Sequence, residues 1–133
     1  MEQTLIKTME LENGLKLDCY DISRKLAGDR WYVGMIAQID IPLTDFSLRN
    51  QQLSNYSIET IRNALGESLR FQQKMERHFI DEKEKDALLQ GLMDSFIKTS
   101  LRYISHPDFP GKYVIKEFHA YLKRQTKHID DLR

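Results

Sequence analysis

Two short runs of alternating apolar and polar residues, Leu5 to Leu11 and Leu15 to Ile22, are joined by Glu12-Asn13-Gly14. Alternation of this kind marks strands with one buried face, and Asn-Gly between two such runs is a strong hairpin signal. Loop length then decides which face is which, because directly opposed residues share a face and a slip of one residue inverts it. A two-residue loop sets Glu12 against Leu15 and Glu10 against Leu17, which mixes charge into the apolar face. A three-residue loop, with Gly14 in the left-handed position of a bulged turn, pairs Leu11 with Leu15, Met9 with Leu17 and Lys7 with Cys19. It also opposes Glu10 to Lys16 on the other face, where an exposed ion pair contributes at most about 1 kcal/mol. The three-residue loop is the expected one.

Arg30 to Ile41 supplies a third strand. Trp31, Val33, Met35, Ala37, Ile39 and Ile41 alternate with Tyr32, Gly34, Ile36, Gln38 and Asp40, and Pro42, which lacks a ladder donor, ends it. Antiparallel pairing with the second strand, Cys19 against Val33 and Leu17 against Met35, makes a three-stranded meander and leaves Asp21 to Arg30 as a connection. Leu43 to Tyr56 has no clean period and reads as a loop. Ser57 caps a short helix, Ile58 to Leu65, that Gly66 stops. In ESLRFQQKMERHFI, Leu69, Phe71 and Met75 fit an alternating strand better than a helical stripe, giving a fourth strand.

Asp81 and Glu84 have the spacing of a capping box ahead of the clearest helix, in which Leu88, Leu89, Leu92, Phe96, Ile97, Leu101 and Ile104 form one stripe. His106-Pro107 and Phe109-Pro110-Gly111 break the chain. A last helix, Lys112 to Lys127, sets Ile115, Phe118, Tyr121 and Leu122 against Lys116, Lys123 and Arg124. The fold class expected is α+β: an antiparallel sheet, the meander plus a fourth strand, covered on one face by two or three helices. At 133 residues, with no long linker and no repeat, residues 1–133 are expected to form a single domain.

Twenty basic and twenty acidic residues cancel, so no global field recruits nucleic acid or an anionic membrane, and such binding has to be local. The lone Cys19, with no basic neighbour in sequence, reads as a small core residue. There is no secretory leader pattern and no run of eighteen apolar residues, so a soluble cytoplasmic protein without a membrane partner is expected.

Phosphate-binding loops, dinucleotide glycine fingerprints, nucleophile elbows and zinc patterns are absent from the sequence. Histidines 78, 106, 119 and 128 include no pair at the helical spacing for a shared metal. His106 and Asp108 flank a proline and read as a turn. No catalytic set, metal or cofactor is expected. The best ligand candidates are arginines. Arg24 and Arg30 bracket a glycine-containing turn whose amides suit a small anion, while Asp21 and Asp29 offer to pair with the same side chains and fix the connection. In ERHFID, Glu76, Arg77 and His78 combine a base, an anion clamp and a proton carrier, yet on a strand Glu76 and His78 share one face and Arg77 and Phe79 the other. The structural reading gives Arg77 an ion pair and packs Phe79 and Ile80 under the following helix. Tyr20 and Tyr32 are the sheet-face aromatics placed to stack on single-stranded RNA. The basic run KRQTKH is placed to touch nucleic acid or an acidic partner, with Glu117, Asp130 and Asp131 nearby to neutralise it.

LENGLKL, DISRKLAGDRWYV and ERHFID, in that order, resemble a group of small bacterial proteins without assigned function. That resemblance implies a compact bacterial domain and carries over no catalytic residue. The leading expectation is therefore a binding or assembly module acting on a protein partner or a second copy. The alternative is an enzyme or small-anion binder with Arg24, Arg30, Arg77 and His78 at a site between the 21–30 connection and residues 76–78. Single-stranded RNA binding on the sheet face stands third, and nucleic acid is not favoured as a partner.

Overall fold

The computed structural model describes residues 3–44 and 56–131. They form an α+β fold with an antiparallel sheet of five strands and three helices. In chain order these are β1 (Thr4–Glu10), β2 (Lys16–Asp21), β3 (Arg24–Ala27), β4 (Arg30–Pro42), α1 (Ile58–Leu65), β5 (Ser68–Asp81), α2 (Lys85–Ile104) and α3 (Phe109–Asp131). The loop expected over Leu43 to Tyr56 lies mostly outside the described residues.

The first hairpin has the register that face-matching requires. Met9 pairs with Leu17, Lys7 with Cys19 and Glu10 with Lys16. The Leu11 amide donates to the Leu15 carbonyl at 2.8 Å, and Gly14 sits at φ 88°, a conformation that costs a side chain strain. Glu10 and Lys16 oppose each other, but the expected ion pair is not among those formed by the described residues. Ile6 is an extra residue in β1, so the pairing resumes with Leu5 opposite Tyr20 on the polar face.

The second pairing differs from expectation by four residues along β4. Cys19 faces Ala37 and Leu17 faces Ile39, rather than Val33 and Met35. The shift is even, so the faces are unchanged. Its cause is a fifth strand inside the expected connection: β3 turns back on β4 with Arg24 opposite Tyr32, Lys25 opposite Trp31 and Ala27 opposite Arg30, through a tight Gly28-Asp29 loop. Strands β2 and β3 thus share one edge of β4, and β5 pairs with β4 as well.

The chain divides into two compact units, one made of Met1–Ile39 with Phe71–Ser105 and the other of Asp40–Arg70 with His106–Arg133. In the first, Leu17, Cys19, Val33, Met35, Ala37 and Ile39 are fully buried, and Leu92, Met93, Phe96 and Ile104 are the buried residues of α2. Asn13 at the hairpin tip donates through Nδ2 to the Ile104 carbonyl at 2.8 Å and accepts the Leu15 amide through Oδ1 at 3.1 Å. One side chain therefore closes a turn and satisfies a carbonyl at the last turn of a helix. The capping box expected at the start of α2 does not form. Asp81 still belongs to β5, its carboxylate accepts the Lys83 amide in a turn, and the cap position falls to Glu84 without a side-chain bond.

In the second unit Ser57 caps α1 by accepting the Thr60 amide, and the Gly66 amide closes the helix on the Arg62 carbonyl. Helix α1 packs on α3, and Tyr56 meets Phe118 edge-on with ring centroids 4.9 Å apart. Arg70 pairs with Asp40 at 3.0 Å. Phe109-Pro110-Gly111, expected to break the chain, is instead the first turn of α3, where a proline's missing amide costs nothing. His106 accepts the Asp108 amide through Nδ1 at 3.0 Å, a turn contact.

Candidate functional site

All the side chains of the candidate site belong to the first unit. The even-numbered face of β4 carries Tyr32, Gly34, Ile36 and Gln38, opposite the buried odd-numbered face. Tyr32 is its centre and is only 4% exposed. Its ring reclines along the strand over Gly34: a Cβ at residue 34 would lie 2.7 Å from the Tyr32 hydroxyl and 2.8 Å from two ring carbons. No side chain larger than hydrogen fits under the ring, so the glycine fixes where the hydroxyl points. It donates to Glu76 Oε2 on β5 at 2.5 Å, a charge-assisted hydrogen bond.

Two further groups contact the same ring. The Arg24 guanidinium carbon is 5.1 Å from the ring centroid, within cation–π range, and the His78 ring is 5.2 Å away at 55°. Arg24 is delivered by the step from β2 to β3. Asp21 accepts the Ser23 amide at 2.8 Å, Ser23 Oγ accepts the Gly34 amide at 3.2 Å, and the Ile22 amide donates to the Gly34 carbonyl at 3.0 Å. The side chain of Ser23 thereby satisfies β4 where the edge passes from one strand to the next. Further along this face Gln72 donates to Gln38 at 2.8 Å and Thr8 to Asp18 at 2.8 Å.

The titration behaviour follows from this geometry. Burial, then the hydrogen bond and negative charge of Glu76, push Tyr32 up to about 12, with Arg24 opposing. The hydrogen bond from Tyr32 holds Glu76 below the usual carboxylate range; burial works against this, and the charges of Lys74 and His78 assist it. At neutral pH the pair is a phenol donor and a carboxylate acceptor. Lys74 Nζ lies 3.8 Å from the same carboxylate. A phenol held protonated this far above neutrality is no general base there. Burial also pushes the Cys19 thiol up, in keeping with a core role.

The four arginine and histidine candidates divide. Arg24 and His78 each contact the Tyr32 ring. Arg30 turns to Asp29 at 3.7 Å, as expected of a connection fixed by internal pairing. Asp21 does not pair with Arg24; its carboxylate accepts the Ser23 amide. Among the described residues no carboxylate lies within ion-pair distance of Arg24. Arg77 forms no ion pair among them either; it donates to the Glu76 backbone carbonyl at 2.7 Å.

Phe79 is 73% exposed at φ 57°, not packed under α2. That positive φ departs from extended backbone, and the side chain stands in solvent. Trp31 is half-buried, donates to Glu82 at 3.3 Å and lies beneath Lys85 Nζ at 4.7 Å.

Sequence reasoning missed the Tyr32–Gly34–Glu76 arrangement. Its signal was the Tyr-x-Gly spacing on one strand face, which leaves a gap that the aromatic ring fills. Among the described residues no helix is long and apolar enough to cross a membrane, and no group of three or more His, Cys, Asp or Glu side chains is placed to hold a metal. Compared with protein-family models, curated proteins and solved structures, the chain matches none.

Proposed function

We propose that the chain is a binding module that recognises a small anionic group, a carboxylate or a phosphate, on the polar face of its sheet, with Arg24 as the recognition residue. The observation that carries this reading is the Arg24 guanidinium held against the ring of Tyr32 with no carboxylate partner among the described residues. A guanidinium already held against a ring has N–H donors for a planar, two-point acceptor, and less of its rotamer freedom is lost on binding. The Glu76 carboxylate, on the same ring, is directed to the Tyr32 hydroxyl and Lys74. The geometry gives no support to catalysis, because Tyr32 is a locked hydrogen-bond donor. It gives little to base stacking either, since Arg24 and His78 already contact the Tyr32 ring.

The test is a two-dimensional amide and Arg Nε NMR titration with inorganic phosphate and, separately, with glutarate. Saturable shifts at Arg24, Tyr32 and His78 are expected, absent in Arg24→Gln and retained in Arg30→Gln and Arg77→Gln. A response to one anion alone identifies the acceptor class. No saturable shift with either, or one that survives Arg24→Gln, overturns the reading.

A further inference from the structure

Between Lys112 and Lys127, helix α3 gathers most of its basic residues on one face. Val114 and Phe118 are buried, while Lys112, Lys116, His119, Lys123, Thr126 and Lys127 are exposed, as are Arg124 and Gln125. At 100° per residue the first six of these exposed residues fall within one face, and Glu117 lies well off it. Between Lys112 and Lys127 no acid stands on this face, and among the described residues no ion pair neutralises it. Lys112 and Lys116, like Lys123 and Lys127, are four apart, a spacing at which like charges repel and weaken a helix.

Helix α2 is built otherwise. Its exposed positions mix Asp86, Gln90 and Asp94 with Lys98 and Arg102, and Lys85 is paired with Asp86. A chain with equal numbers of acids and bases has thus concentrated positive charge on one helix face, against the usual interspersion of signs.

We infer that this face of α3 binds the phosphate backbone of a nucleic acid without reading its sequence. From Lys112 to Lys127 the helix rises about 22 Å, with two lysines one turn apart at each end and His119 between them, a spacing suited to a run of phosphates. A membrane surface fits less well, because the large apolar residues Val114 and Phe118 are buried and not free to enter lipid. A protein partner draws its affinity from buried aromatic or apolar anchors, and none stands among these exposed positions. Nucleic-acid interfaces are polar and strongly cationic. With no net charge to steer encounter at long range, binding is weak and confined to low salt.

Fluorescence anisotropy of a labelled oligothymidylate with the full chain, between about 50 and 200 mM salt, reads this out. The logarithm of affinity is expected to fall linearly with that of salt. Lys123→Gln with Lys127→Gln should flatten the slope by about 1.4, at about 0.7 for each phosphate contact on a single strand. The exposed Lys98→Gln on α2 should leave it unchanged, and circular dichroism of the substituted chains should match the parent. The inference is overturned by absence of binding at the lowest salt, by an unaltered slope in the double variant, or by an equal loss in Lys98→Gln. Polyglutamate binding as tightly as the oligonucleotide would also overturn it, in favour of an acidic protein.

Discussion

The ring of Tyr32 occupies the space that a side chain at Gly34 would fill, and this contact between two residues of one strand sets the geometry of the whole polar face. With the ring lying along the strand, its hydroxyl reaches Glu76 across to β5 and its faces and edges are left for Arg24 and His78. A buried phenol thereby becomes a rigid support for an exposed cation.

Gly34→Ala should be destabilising although alanine suits a strand better than glycine. The new methyl would meet three side-chain atoms of Tyr32 at 2.7 to 2.8 Å. Overpacking of this kind costs about 1–3 kcal/mol, measurable by urea denaturation. Combining it with Tyr32→Ala tests the cause: once the ring is gone the alanine has room, so the double variant should lose less than the sum of the two single losses. Additive losses would mean the clash is not the reason.

The Tyr32–Glu76 pair predicts pH behaviour at both ends of the scale. Tyr32 titrates at about 12 in the folded chain against an ordinary value of 10, so its contribution to stability is complete below pH 10 and is lost as pH rises through 12. Ultraviolet difference titration against Tyr32→Phe should place its phenolate signal near pH 12, and Glu76→Gln should move that signal down. Glu76 has the opposite sign. Its folded value is depressed, so its contribution is present above the usual carboxylate range and declines as pH falls through the lowered value. The stability gap between parent and Glu76→Gln in urea should therefore narrow in acid.

The first hairpin was legible because only one register separates its apolar and polar faces, and α1 because Ser57 and Gly66 are local signals whose effect ends within a turn. The β2–β4 register was not, since every even shift keeps Val33, Met35, Ala37 and Ile39 inward alike. Only the brief β3, whose residues are all exposed and so carry no burial pattern, fixes it. Arg24 and His78 were named from residue type, and their convergence depends on that hidden strand. The exposure of Phe79 at positive φ had no sequence mark at all, because an exposed phenylalanine in an alternating strand reads as a buried one.

Asn13→Ala should destabilise more than an ordinary surface substitution. The side chain satisfies the Leu15 amide in the hairpin and the Ile104 carbonyl on α2, two bonds with centres far apart in sequence. At about 0.5–1.5 kcal/mol for each neutral bond, a loss of about 1–3 kcal/mol is expected in denaturant. Hydrogen exchange adds a finer check: amides in the last turn of α2 should exchange faster relative to those near Leu92. If exchange quickens only in the hairpin, the bond to Ile104 carries no weight.

Phe79→Asn should stabilise the fold, the reverse of what truncating an aromatic residue usually does. Phe79 holds φ 57°, where a side chain with a bulky ring is disfavoured by about 1–2 kcal/mol and asparagine is far better tolerated. With the ring 73% exposed, little packing is given up in exchange. A rise of about 0.5–1 kcal/mol in unfolding free energy is expected, with the Tyr32 phenol still titrating near pH 12 as a sign that β5 keeps its register. Phe79→Val supplies the contrast, because a β-branched residue tolerates this backbone worse than phenylalanine does; it should lower stability. Asparagine and valine shifting stability in the same direction would show that side-chain contacts, not backbone strain, govern this position.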